Sequence, residues 1–173
     1  CSVSDLSEGA DQVFIACRDQ YSHEDDTASN EDISYTVDIS LPVLSNWSPE
    51  ADSLLDTDAP TVSFTTDEDA SCKWDISNNG YDDISGNSCG TTTQNHSCFV
   101  SSLVQGTNTI YFACTDVPGN KHTSSDNLEI DYNIDTVLPV QSGWSPDDGA
   151  TITTTAPTLT FNTDEDAMCK WAG

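Results

Sequence analysis

The chain has 173 residues, with 30 acidic side chains against 4 basic ones and a net charge of −26 at pH 7. That balance excludes nucleic acid and anionic membranes as natural partners, since both need a basic surface; it suits divalent cations, a salty habitat or a soluble, self-repelling stalk. Apolar residues make up 35% of the chain and sit in short alternating runs, none long enough to span a bilayer and none with the layout of a signal peptide.

In chain order, Leu6, Gly9, Cys17 and Tyr35 come first, and all four return as Leu103, Gly106, Cys114 and Tyr132. Next, Leu41-Pro-Val-Leu-Ser-Asn-Trp-Ser-Pro-Glu50 returns as Leu138-Pro-Val-Gln-Ser-Gly-Trp-Ser-Pro-Asp147. Thr66-Asp-Glu-Asp-Ala70 and Cys72-Lys-Trp74 return as Thr163-Asp-Glu-Asp-Ala167 and Cys169-Lys-Trp171. The offset is 97 residues throughout (144 − 47 for the tryptophans), without a gap. A long fixed period means tandem modules. Residues 41–137 form one whole module, residues 1–40 match its back part and residues 138–173 its front part.

Within the whole module, Pro60–Thr66 alternates with Val62 and Phe64 on one face, and Ser71–Ile76 alternates with Cys72, Trp74 and Ile76 inward. Residues 77–93 are rich in Asn, Gly, Ser and Asp and read as loop, with a short strand near Tyr81. Ser97–Leu103 is a strand; Asn108–Thr115 is another, with Ile110, Phe112 and Cys114 on one face; Asn127–Asp135 is the last, with Leu128, Ile130, Tyr132 and Ile134 inward. Six or seven short strands, punctuated by Pro and Gly and with no helical period, predict an all-β Greek-key sandwich.

Seven cysteines stand at 1, 17, 72, 89, 98, 114 and 169. The four in the whole module allow three connectivities. Cys72 and Cys114 both face inward by parity, on strands that are neighbours in an immunoglobulin-like sandwich, so the predicted pairs are Cys72–Cys114 and Cys89–Cys98. Such a framework implies an oxidising, extracellular compartment. Cys17 and Cys169 occupy the Cys114 and Cys72 frame positions; with Cys1 they are candidates for bonds between subunits or to partners elsewhere in a longer array.

Leu103-Val-Gln-Gly-Thr-Asn-Thr-Ile-Tyr-Phe-Ala-Cys-Thr-Asp-Val-Pro-Gly-Asn120 resembles the end of a bacterial immunoglobulin-like repeat. Ser145-Pro-Asp-Asp-Gly-Ala-Thr-Ile-Thr-Thr-Thr-Ala-Pro-Thr-Leu-Thr-Phe161 resembles the start of one. Such repeats are strung along large secreted and surface proteins. The resemblance implies a structural or adhesive role at a microbial surface, without catalysis. Residues 19–25 depart from the family's Asp-x-x-Gly-Asn turn.

Asp67-Glu-Asp69 falls between two strands, Asp116 ends another, and the linker from the preceding module brings in Asp38. These loops share one end of the predicted fold, so the residues Asp38, Asp67, Glu68, Asp69 and Asp116 offer the hard oxygen ligands that calcium takes. Asp135, Asp164, Glu165 and Asp166 repeat the set. Glycosidase-type acid–base chemistry is rejected, because these carboxylates recur with the module whereas an active site is normally built once. His23, His96 and His122 share no frame position, which leaves no catalytic triad, and His96 and His122 read as exposed. No close Cys-x-x-Cys pair suggests zinc. Trp47 and Trp144 invite a sugar-stacking reading, though Trp74 has core parity and Trp47 reads as a cap on one end of the sandwich. Asn46 and Asn95 open glycosylation sequons. The reading is a mechanical, non-enzymatic repeat of a surface stalk or filament whose partners are neighbouring modules or copies of itself; the alternative is an adhesin module that binds a glycan or a protein.

Overall fold

Runs of β-branched and aromatic residues alternating with polar ones can bury only one face, so they must pair laterally and stack on a second sheet. The computed structural model, which describes residues 2–90 and 93–172, realises this with eleven strands and no helix among the described residues. They are β1 (Gly9–Ile15), β2 (Glu31–Val37), β3 (Leu44–Ser48), β4 (Leu54–Leu55), β5 (Thr61–Thr66), β6 (Ala70–Asp75), β7 (Asn95–Phe99), β8 (Gly106–Asp116), β9 (Leu128–Ile134), β10 (Gln141–Ser145) and β11 (Thr160–Thr163).

Residues 41–137 hold two sheets, ordered β3-β5-β7 and β4-β9-β8-β6. Their inner faces meet in one core: Val62, Phe64 and Cys98 from the first, and Trp74, Ile110, Phe112, Ile130 and Tyr132 from the second, are all buried. Phe64 and Trp47 reach across to Phe112, with ring centroids 5.4 and 4.9 Å apart. The fold is therefore an all-β sandwich.

Both predicted disulfides form. Cys72 and Cys114 stand directly opposite each other on β6 and β8, and their main-chain groups turn to the far sides of the pair: Cys72 O accepts from Cys89 N, and Cys114 O from His122 N. Cys89 accordingly lies along the β6 edge, while its own carbonyl accepts from Ser97 N on β7. The Cys89–Cys98 bond thus fastens the open edge of one sheet to the open edge of the other.

Two local expectations fail. Ile76 is 57% exposed rather than inward, because β6 ends at Asp75, whose Oδ1 accepts from Ser77 N and turns the chain before the next inward position. No strand forms near Tyr81; instead Asp83 N and Ile84 N both donate to Gly80 O, and this turn drops Ile84 into a buried position with 2% exposure.

The flanking hairpins copy the sandwich in register. β1–β2 pairs Gly9 with Val37 as β8–β9 pairs Gly106 with Ile134. β10–β11 pairs Gln141 with Thr163 as β3–β5 pairs Leu44 with Thr66, with the irregularity at the corresponding place. Trp144 packs on Phe161 with ring centroids 4.5 Å apart as Trp47 packs on Phe64 at 4.4 Å.

Candidate metal centre at the incoming linker

Asp38 follows β2 in the linker, Glu68 sits in the turn between β5 and β6, and Asp116 ends β8. One carboxylate oxygen from each lies within 4.8 Å of the others. Two oxygens bound to one calcium are at most about 5 Å apart, twice the Ca–O bond, so a single ion can reach all three.

Each side chain is positioned by its own segment. Asp116 is 7% exposed; its Oδ1 accepts from Gly119 N at 2.6 Å and Asn120 N at 2.7 Å, and its Oδ2 from Asn120 Nδ2 at 2.7 Å. This is the Asx geometry that Val-Pro-Gly-Asn favours, with Gly119 at φ 111° where a side chain would be strained. Asn120 Nδ2 also donates to Asp38 O at 3.1 Å, tying linker to loop. Asp38 Oδ1 accepts from Ser40 Oγ and N. Glu68 O accepts from Thr66 Oγ1 at 2.7 Å, which orients the turn.

The electrostatics at this end are lopsided. Burial holds the Glu68 carboxyl above the usual carboxylate range, and Asp38, Asp116, Asp67 and Glu8 push it further the same way. Three of the four basic residues are engaged elsewhere: Arg18 pairs with Glu24, Lys121 with Asp82, and Lys73 Nζ donates to the carbonyls of Tyr81 and Ile84.

The remaining predicted ligands do not join this cluster. Asp67 Oδ1 accepts from Val43 N at 2.8 Å and so pins the incoming linker instead; Asp69 is exposed. At the second linker Asp164 repeats the Asp67 bond, to Val140 N at 2.7 Å. Glu165 is raised above the usual range by burial and by Asp135 and Asp164; Asp166 is exposed. Gln105, at the Glu8 frame position, donates to Asp135 Oδ1 at 2.9 Å, so this junction carries a neutral group where the first carries an acid.

Two residues that sequence reasoning placed on the surface are buried beside the junction. His96 and His122 are 3% and 5% exposed. Thr66 gives its only hydroxyl proton to Glu68 O, so it must accept from His96 Nε2–H, at 2.9 Å; Nδ1 of that ring is buried without a partner. His122 Nδ1 accepts from Cys114 N at 3.3 Å, and its Nε2–H donates to Pro42 O at 3.0 Å, again clamping the linker. Desolvation lowers the pKa of both rings.

Cys17 and Cys169 are exposed free thiols; Cys1 lies outside the described residues. Trp47 is half-buried against Phe64 and Phe112, so it is a core residue rather than an open platform. Asn46 is exposed and its Nδ2 donates to Thr65 Oγ1 at 2.8 Å.

No family model and no curated protein match the chain. The structure bears a weak likeness to CopC from Methylosinus trichosporium OB3b, with 13% sequence identity, over 54% of this chain and 93% of that one, at a TM-score of 0.36.

Proposed function

We propose that this chain is a mechanical repeat segment of a microbial surface or filament protein, built from immunoglobulin-like sandwiches in series and stiffened at each junction by a divalent cation such as calcium. The sheet order β3-β5-β7 over β4-β9-β8-β6 supports the immunoglobulin-like reading. Two disulfides suit an oxidising, non-cytoplasmic compartment. The observation that carries the mechanical reading is the fastening of the linker. Within residues 38–43 the chain is held by Asn120 on Asp38 O, His122 on Pro42 O and Asp67 on Val43 N. A linker held at three points transmits force into the sandwich instead of swivelling. A cation on Asp38, Glu68 and Asp116 adds a fourth tie between linker and loops.

Extension of the 173-residue chain by atomic-force microscopy tests this directly. A high unfolding force that falls on reduction and rises with calcium supports the proposal. Unfolding at low force, unmoved by either treatment, combined with glycan-array or protein binding that disappears in Trp144→Ala, would replace it with the adhesin reading.

A further inference from the structure

We propose that His122 is an acid-operated latch on the incoming linker: neutral, it docks residues 39–43 on the sandwich, and protonated, it lets them go, so that the junction turns from a stiff joint into a hinge. This gives the mechanical reading above a control by pH and rests on it.

The slot that His122 fills occurs earlier in the chain with a different residue in it. Asp25 stands at the same frame position (122 − 25 = 97). Asp25 N donates to Cys17 O, and its Oδ2 accepts from Cys17 N at 2.8 Å. In the same way His122 N donates to Cys114 O, and its Nδ1 accepts from Cys114 N at 3.3 Å. What the slot demands in both places is an acceptor for the cysteine amide. A carboxylate meets that demand but has no proton to pass on. Imidazole has a second nitrogen, and its Nε2–H donates to Pro42 O at 3.0 Å. Histidine therefore adds a hold on the linker, through a ring whose acceptor acid can remove.

The surroundings decide which part yields when the ring is charged. The main chain of His122 is fixed on both sides, by Cys114 O on its N and by Tyr81 N on its O. The loop behind it is close: a Cβ on Gly80 would meet Thr123 Cα at 3.2 Å. Cys114 is bonded to Cys72. Pro42, by contrast, is fully buried on a linker held by single hydrogen bonds. Residues 39–43 of that linker and 112–115 of β8 carry no charge, and the neighbouring Lys121 is paired with Asp82. Asp126, in the turn that follows, favours the charged ring, as do the main-chain groups of Pro42 and Phe112, but burial outweighs all three. A proton on Nδ1 also sets an N–H against that of Cys114. The ring is charged at least cost by swinging out to water, and Pro42 then loses its donor.

The sign follows from linkage. The released ring titrates at the ordinary value and the docked ring below it. Docking is therefore fully favoured above the ordinary histidine range and is lost as pH falls through it towards the docked value. Across that interval one proton accompanies each opening, so the open fraction grows about tenfold per pH unit.

Native-state hydrogen exchange of the 173-residue chain by NMR, from pH 7.5 to 5 and corrected for the intrinsic pH dependence of exchange, tests the latch. Val43 N–H and Asp67 N–H join the linker to the β5–β6 turn and report its docking; the amides of β8 and β9 report the sandwich; the His122 Cε1–H shift follows its titration. The expected result is a loss of linker protection of up to about tenfold per pH unit, in step with His122, while β8 and β9 stay protected. His122→Gln, whose amide accepts and donates without titrating, should keep the linker protected throughout, and His122→Ala should free it already at pH 7.5. Linker protection that stays flat while His122 titrates overturns the inference, as does an equal loss in His122→Gln or a His122 that charges only as β8 and β9 open. If the linker is protected at pH 7.5 and the chain resists force there, each of these outcomes removes the latch alone; a linker unprotected at pH 7.5 removes the mechanical reading with it.

Discussion

His96 shows how a single side chain can be readable and still be missed. In β7 the buried positions alternate, with His96 and Cys98 inward, so parity alone assigns that imidazole to the core. His122 gave no such signal, because its burial depends on a clamp between Cys114 N and Pro42 O that only the folded chain assembles. Both rings are neutral in the fold, and protonating His122 Nδ1 would set an N–H against the N–H of Cys114. The folded pKa values lie below the ordinary value of 6.5. The native state therefore binds fewer protons than the unfolded one. The stability this provides is complete above the ordinary histidine range and is lost as pH falls through it towards the depressed folded values. Urea melts between pH 7.5 and 5 should show a falling midpoint, and His122→Gln should flatten part of that slope.

At the scale of elements, alternation located β5, β6, β8 and β9, since period two fixes which face each side chain takes; the disulfides needed, besides that parity, the strand neighbours of an immunoglobulin-like sandwich. The segment 77–93 was opaque. Its Asn, Gly and Ser content signals loop, as residues 77–90 show, but says nothing of how Cys89 comes to lie between the β6 and β7 edges or of Ile84 entering the core from a turn. The two disulfides and Ile84 each set a measurable cost. Replacing both Cys89 and Cys98 by Ala should cost about 3 kcal/mol, and losing the longer Cys72–Cys114 loop about 4 kcal/mol, in the chain-entropy account. Ile84→Ala, in a region without regular structure, should cost roughly 2–5 kcal/mol by leaving a cavity. Guanidinium denaturation of each variant measures these directly; an Ile84→Ala midpoint equal to the parent's would mean the turn is not anchored by that side chain.

Across the whole molecule, the repeat was the clearest thing in the sequence, because identical phrases at one spacing need no structural knowledge. The junction was half legible: the loops predicted to converge do converge, but Asp67 and Asp164 spend their carboxylates on linker amides, a choice of hydrogen bond that composition cannot express. The raised Glu68 carboxyl sets the sign of the metal response. Without a cation the ionised junction repels itself, and stability falls as pH rises through the ordinary carboxylate range to the raised folded value. A bound cation reverses this and competes with the proton at Glu68. Calcium should therefore raise the melting temperature at pH 7, and the gain should shrink towards pH 4.5. Glu68→Gln should melt no lower than the parent in chelator and should lose most of the calcium gain; a gain unchanged in that variant would move the ion elsewhere. The placement of the few cations has another consequence. Trypsin-class proteases cut only after Lys or Arg, and the whole module holds just Lys73 and Lys121. Lys73 has its ammonium group bound to two carbonyls, and the bond after Lys121 leads into His122, whose N–H is held by Cys114 O. The folded sandwich is thus almost blank to that whole class of digestive enzyme, and the scarcity of positive charge that concentrates acid at the junctions also takes away the marks by which such enzymes find a chain.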